Sequence, residues 1–305
     1  YLLVAMIVLL MLFGLLEGMQ GVIFNYLMSK VIPVKKRGRL TGFRNFLAGT
    51  TAAAVAYIGG TYLIGAESSV EGYSWTFILA FVLTAIGLLM LLGVREPEPP
   101  EMKEQLSLKQ QLREVPQMLK AEKSFRSFIV ARTIATMGKM AMPFYILFAG
   151  QSIGLTGATL GMVTFAFTMS GTVSNLLWGF IADRRGFRLV LLITGALWII
   201  STMILLAGTS RAVTILVFIG IGAAVQGFEN ASRTIVLEFG DRQNLPVRIA
   251  LANSVSQVAG SVGPLAGGAL ATVLGYEWVF AASVVFLATG ASLILLRIPE
   301  PRQGL

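Results

Sequence analysis

Residues 179–189 read GFIADRRGFRL. This short basic turn lies between two apolar runs, 157–182 and 188–208. A bilayer-crossing helix takes about 20 mostly apolar residues, and both runs meet that length. Working outward, the same reading finds seven more: 1–29, 40–64, 73–94, 125–149, 212–237, 248–274 and 276–296. Nine spans are therefore expected. The runs are too long for the ~10-residue strands of a membrane barrel, and they do not alternate apolar with polar. Apolar residues make up 55% of the 305 residues and charged residues 13%, against about 25% charged in an ordinary soluble domain. That balance excludes a water-soluble globule, a disordered chain and a coiled coil. The expected fold class is an all-α polytopic membrane protein. Its 33 glycines suit close helix–helix approach in lipid.

The placement of charge supplies an orientation. Of the 24 Lys and Arg residues, twenty fall on one side of the nine spans. They cluster at 30–44, 95–126 and 184–188, and end with Arg242, Arg248, Arg297 and Arg302. The opposite side carries Arg211 alone. Basic loops stay cytoplasmic. These loops and the C-terminus are therefore expected in the cytoplasm, in a plasma (inner) membrane protein with Tyr1 outside. The formal charge of +9 is then a topology signal, and no nucleic-acid partner is expected. The chain has no Cys and no His, which removes thiolate and imidazole chemistry. No paired acidic motif, nucleophile set or metal cluster appears in the sequence. No catalytic residue, metal or cofactor is expected, and an enzyme is the weakest reading. The first run has no basic leader and no cleavage site, so it is not read as a signal peptide.

Part of the chain repeats. GYSWTF begins at Gly72 and is followed by REPEP at Arg95; GYEWVF begins at Gly275 and is followed by RIPEP at Arg297. The offsets are 203 and 202. Gln20-Gly21 matches Gln226-Gly227 at offset 206, and Asn45 with Gly59-Gly60 matches Asn253 with Gly267-Gly268 at offset 208. Both GYxWxF copies run inward from the outside, so the repeat is parallel. Parallel halves related by an axis along the membrane normal fit one transporter architecture. The second half starts near Ser124, and its counterpart falls about 80 residues before Tyr1. Three further spans are expected there, giving a parent of two six-helix halves. In that division 1–94 ends the first half, 125–305 is the second half, and 95–124 is a cytoplasmic linker. The linker opens with the stiff REPEPP and continues as an amphipathic helix with Leu108, Leu112, Val115 and Leu119 on one face.

The 179–189 turn resembles the Gly-x-x-x-Asp-Arg-x-Gly-Arg loop signature of the major facilitator superfamily. Gly179, Asp183, Arg184, Gly186 and Arg188 match it. The resemblance covers the whole chain as helices four to twelve of twelve. It implies a solute carrier working by alternating access, with this loop as a conformational latch. Physically, the glycines let helix ends meet closely, and Asp183 can face a helix N-terminus. A plain tight loop with positive-inside arginines is the simpler reading. Two features depart from the family pattern. Gly263-Pro264-Leu265-Ala266-Gly267-Gly268 fits an antiporter motif of helix five but stands in the eighth span, equivalent to helix eleven. Gly263, Pro264, Gly267 and Gly268 are therefore expected to pack and bend that helix. Glu17 stands three residues before Gln20-Gly21, where the family's helix-four motif often has Arg.

Five ionisable side chains fall inside spans: Glu17, Arg132, Lys139, Glu229 and Arg233. Facing lipid near mid-bilayer, each would cost about 2.5–3.5 kcal/mol on insertion scales. They are expected to face a polar cavity or one another. They occupy the first, fourth and seventh spans, which by resemblance line the family's central cavity. Arg132, Thr136, Lys139 and Pro143 share one helical stripe. So do Gln226, Glu229, Asn230 and Arg233. Glu17, Gln20 and Phe24 form a third stripe, and Asn253, Gln257 and Ser261 a fourth. Glu229 with Arg233 also reads as a structural ion pair, and Arg132 as a side chain reaching for headgroups. The expected function is secondary transport of a small solute across the bilayer by a monomer, as proton symport through Glu17 or Glu229. Lys139 and Arg132 would then attract an anionic group of the solute. Proton-antiport efflux of drugs or metabolites, and a non-transporting receptor or scaffold, are the alternatives.

Overall fold

The computed structural model describes residues 2–33, 36–58, 70–93, 108–154, 157–208, 210–240 and 244–300. Among them the chain is helical, with no strand. The helices are α1 (Leu2–Val31), α2 (Arg37–Ile58), α3 (Val70–Leu91), α4 (Leu108–Ala121), α5 (Lys123–Met137) and α6 (Tyr145–Ile153). They continue as α7 (Gly157–Arg185), α8 (Phe187–Leu206), α9 (Arg211–Thr234), α10 (Leu245–Leu274) and α11 (Tyr276–Arg297). Short 3-10 turns occupy Gly138–Phe144 and Ile235–Glu238.

Seven of these helices are long and apolar enough to cross a membrane: α1, α3 and α7 to α11. The other two expected spans differ from the expectation. The described part of 40–64 is α2, which carries Arg37, Arg39 and Arg44 among small and polar residues. Gly59-Gly60 lies outside the described residues, as does Arg95 of the repeat. The run 125–149 is not one helix but α5, the 3-10 turn and α6. Pro143 accounts for the break. It has no N–H for the Lys139 carbonyl four residues back, and its ring crowds that turn. Ser283 of α11 donates to the Gly138 carbonyl at 2.6 Å, which gives the turn a bond from outside its own ladder.

Packing centres on the later helices. α9 lies against both α7 and α8, α11 against both α5 and α8, and α10 along α5 and its 3-10 turn. Phe128, Trp198, Ile221 and Phe280 are fully buried there. Trp198 Nε1 donates to Tyr145 Oη at 2.9 Å, and Tyr145 Oη meets Thr202 Oγ1 at 2.8 Å. Buried polar tips are therefore satisfied where an unpaired group would be costly. The earlier helices join mainly through α2 along α7 and α1 against α10, with smaller contacts of α2 on α9 and of α1 on the Ile235–Glu238 turn. Phe13, Phe77 and Phe81 on α1 and α3 stay exposed, as suits hydrocarbon surroundings.

The linker helix is α4, with Met118 and Leu119 resting on the core. The side chains of Leu108 and Leu112 lie outside the described residues. Just after α4, the Glu122 carboxylate pairs with Arg248. Arg248 is buried and also donates to the Phe239 carbonyl at 3.2 Å. By sequence it belongs with the basic surface loops; in the fold it is an anchor between α10 and the start of α5.

The Gly-Pro-x-x-Gly-Gly stretch divides in its packing. α10 runs unbroken through Pro264. A Cβ on Gly267 would lie 2.6 Å from the Met140 carbonyl oxygen, and one on Gly263 would make ordinary 3.5 Å contact with the Met137 carbonyl. Nothing lies within 4 Å of a Cβ on Gly268. Gly267→Ala is therefore expected to cost about 1–3 kcal/mol by overpacking. Gly268→Ala should be neutral or gain about 0.5–1 kcal/mol from lower backbone entropy. Thermal melting of the two variants in detergent checks this; equal losses would show that Gly267 is not the contact point.

Candidate functional site

The basic turn between α7 and α8 is built to touch another helix. Gly186 ends α7 with φ of 87°, a left-handed conformation that glycine adopts without strain. Its N–H closes onto the Ala182 carbonyl at 2.8 Å. One turn earlier, Asp183 faces the first turn of α2. It accepts from the Gly38 N–H at 2.7 Å and the Arg39 N–H at 2.9 Å. The Arg39 guanidinium is 3.6 Å away, but its side chain is 63% exposed against 4% for Asp183. The two backbone bonds, aided by the positive end of α2, hold this contact more than the solvated ion pair does.

Glycines make the approach possible. A Cβ on Gly38 would lie 2.5 Å from the Gly179 carbonyl oxygen, and one on Gly49 would lie 2.6 Å from Thr172 Oγ1. Gly42 between them meets the Asn175 carbonyl. Gly38, Gly42 and Gly49 thus form one small-residue stripe of α2 against α7, a spacing that favours close crossing in membranes. Arg37 adds a second tie. It is buried and donates to the carbonyls of Ser29 at 2.8 Å and Leu237 at 3.3 Å. Of the remaining signature residues, Arg188 donates to the Leu295 carbonyl at 2.8 Å at the end of α11. Arg184 stacks on the Phe180 ring at 4.1 Å.

Above this contact lies a cavity of about 1100 Å³. Glu17 and Gln20 enter it from α1, and Arg132, Thr136 and Lys139 from α5 and its 3-10 turn. Gln226, Glu229, Asn230 and Arg233 enter from α9, and Asn253 and Gln257 from α10. All eleven residues read from the sequence as cavity candidates share this one space. The repeat partners Gln20 and Gln226, and Asn45 and Asn253, all line it.

Charges are arranged unevenly in the cavity. Glu229 pairs with Lys139 and with Arg233 Nη2, the latter at 3.3 Å. The expected ion pair within α9 is therefore present and is extended to the 3-10 turn. Arg132 is only 4% exposed, and its Nη2 donates to Asn253 Oδ1 at 3.3 Å. It bonds inward to α10 instead of reaching for headgroups. Arg44 Nη2 donates to Asn45 Oδ1 at 3.0 Å, and its guanidinium covers the Phe24 ring at 4.8 Å. Each repeat-related asparagine thus accepts from an arginine. Asn230 donates to Asn175 Oδ1 across the α7–α9 contact. Glu17 has no ion-pair partner among the described residues.

Sequence reasoning missed Arg44, Asn45, Thr172 and Asn175 as lining residues. Arg44 was grouped with the basic loop at 30–44, whereas it lies two turns inside α2. A signal was available: Gly38, Thr41, Arg44, Asn45, Ala48, Gly49 and Ala52 recur at helical spacing as one small and polar stripe.

A model of the Major Facilitator Superfamily matches residues 1–138 and 127–305. The chain belongs to the major facilitator superfamily. It is similar to an uncharacterized MFS-type transporter of Mycobacterium tuberculosis, 30% identical over 47% of this chain and 24% of that protein. It is also similar to multidrug resistance protein D of Escherichia coli, 26% identical over 60% of this chain and 48% of that protein. Multidrug resistance protein MdtG of Enterobacter lignolyticus is 31% identical over 52% of this chain and 39% of that protein. The chain thus spans from about a quarter to about half the length of these superfamily relatives. Membership in the superfamily sets aside the enzymatic reading.

If Asp183 acts as a cap on α2, Asp183→Ala should cost about 0.5–2 kcal/mol, the usual loss of an N-terminal cap. Arg39→Ala should stay within about 0.5 kcal/mol. Melting of both variants in detergent measures the difference, and an equal loss from Arg39→Ala would favour the ion pair instead.

Proposed function

We propose that the protein is a secondary active carrier that moves a small polar solute by exposing its cavity alternately to the two sides of the plasma (inner) membrane. The supporting observation is the cavity's position. Polar residues from α1 and α2 and from α5, α7, α9 and α10 converge on one space at the seam between the earlier and later helices. We read residues 1–94 as the end of one six-helix half, 95–124 as a linker and 125–305 as the second half, acting as a monomer. On this reading the basic end faces the cytoplasm. At that end Asp183 on α2 and Arg37 on the Leu237 carbonyl tie the earlier helices to the later ones. The signature turn works as a latch that must release before the cavity opens to that side.

Two relatives are named for multidrug resistance, which favours a second reading, proton-antiport efflux. The lining supports a polar solute over a lipophilic drug. It includes six ionisable side chains and, among the described lining residues, Phe24 as its sole aromatic. Proton coupling is assigned to Glu17, an exposed carboxylate on the cavity wall with no ion-pair partner among the described residues. Glu229 instead holds Lys139 and Arg233 in place.

Reconstitution of the full-length protein in liposomes tests this. An imposed pH gradient should drive solute accumulation. Glu17→Gln should abolish that accumulation while leaving solute exchange without a gradient intact. Full pH-driven transport by Glu17→Gln would remove it from coupling. Solute binding with no flux under any gradient would favour a receptor or scaffold.

A further inference from the structure

We infer that the solute carries an anionic group, a carboxylate or a phosphate, and that Arg132 together with Arg44 receives it. This rests on the cavity being the solute site. The first argument is a charge tally. Arg44, Arg132, Lys139 and Arg233 line the cavity against Glu17 and Glu229. Among the described lining residues four cations face two anions, so this space carries net positive charge. A narrow space lined by one sign of charge concentrates the opposite sign.

The second argument is how those cations are engaged. Lys139 and Arg233 both lie on Glu229. Arg132 and Arg44 have no carboxylate within ion-pair distance among the described residues, Glu229 acting on Arg132 only from further off; each donates to a neutral asparagine oxygen. Arg132 is also incompletely bonded. Its Nη1 is buried without a hydrogen-bond partner. A buried charged donor left unmade is costly, and Arg132 as a residue lines a cavity large enough for a small solute, one side-chain adjustment from presenting that donor to it. A guanidinium presents its N–H groups as a planar fork that matches carboxylate and phosphate oxygens. An acceptor oxygen from the solute would complete the Arg132 shell and discharge the excess positive charge together. The sequence paired Lys139 with Arg132 as anion receptors; the structure assigns Lys139 to Glu229 and puts Arg44 in its place. The same tally disfavours a lipophilic cation, which would meet net positive charge and one aromatic face.

A reporter thiol tests this without requiring flux. The chain contains no cysteine. Ser254 is exposed, lines the cavity and adjoins Asn253. Ser254→Cys is introduced as the sole cysteine, with any cysteine outside residues 1–305 changed to Ser. Its labelling rate is measured with a sulfonate-bearing and a trimethylammonium-bearing methanethiosulfonate, each scaled to a free thiol in solution. The sulfonate should be favoured about tenfold or more, the lower end expected of a charge-focusing cleft. Arg132→Gln and Arg44→Gln should each erode that preference. Inorganic phosphate or benzoate should slow labelling in the parent and lose that protection in Arg132→Gln, and the anion that protects tells phosphate from carboxylate. Absence of a sulfonate preference, or protection by neither anion, overturns the inference. Should Arg132→Gln fail to fold, the parent ratio and Arg44→Gln still decide. Anion protection in a protein without flux would count against the carrier reading and not this one. Flux of a neutral or cationic solute with no sulfonate preference would sink this inference alone.

Discussion

A bilayer offers no water to an ionised side chain, and one that faces lipid near the centre costs about 2.5–3.5 kcal/mol on insertion scales. Six such side chains line one cavity here: Glu17, Arg44, Arg132, Lys139, Glu229 and Arg233. The arrangement of the helices follows from keeping them off the hydrocarbon. α1, α2, α5, α9 and α10 each turn a polar stripe to the shared space, while Phe13, Phe77 and Phe81 are left outward. Even the break between α5 and α6 serves this constraint. Pro143 ends the α-helical ladder near Lys139, and from the resulting 3-10 turn the ammonium meets Glu229 of α9.

The Asp183 contact at the basic end and the cavity are parts of one helix pair. α2 presents Gly38 and Gly42 to α7 at the basic end and Arg44 and Asn45 to the cavity a turn further on. α7 answers with Gly179 and Asp183 at that end and with Asn175 and Thr172 along the same face. Close-packed interfaces of this kind tend to have discrete arrangements and do not deform continuously. Moving Asp183 off the α2 N-terminus therefore also moves Arg44 and Asn45 relative to Asn175. The geometry links the basic end of the bundle to the cavity through this one helix pair.

Much of this was legible in the sequence, for a physical reason. Charges and amides inside apolar runs are expensive, so Glu17, Arg132, Lys139, Glu229 and Arg233 read as facing inward from the sequence alone. The internal repeat placed Gln20 with Gln226, and they share the cavity. Span counting reads mean apolarity, and α2 defeats it. Its inward face is so small and polar, and its first turns so basic, that Arg44 looked like a loop residue. The break at Pro143 was misread in the opposite sense, because apolar flanks made 125–149 look continuous. Arg248 was invisible for a third reason. Charge counting assigns arginines to a side of the membrane, whereas this one is consumed by Glu122 and the Phe239 carbonyl.

On the proposed carrier reading, the fold says little about which solute is moved. The solute class has to be argued from the lining. Here amides, hydroxyls and guanidinium groups share the wall with small and aliphatic residues, around Glu17 and a Glu229 carboxylate that already holds two cations. Such a wall offers an apolar drug little aromatic surface, and desolvating its polar groups without replacing their bonds would be unfavourable. A small solute with acceptor oxygens returns those bonds. Of the acceptors available to a solute, an anionic one also answers the unpartnered Arg132 Nη1. Resemblance to proteins named for drug resistance therefore carries less weight than the chemistry of these walls.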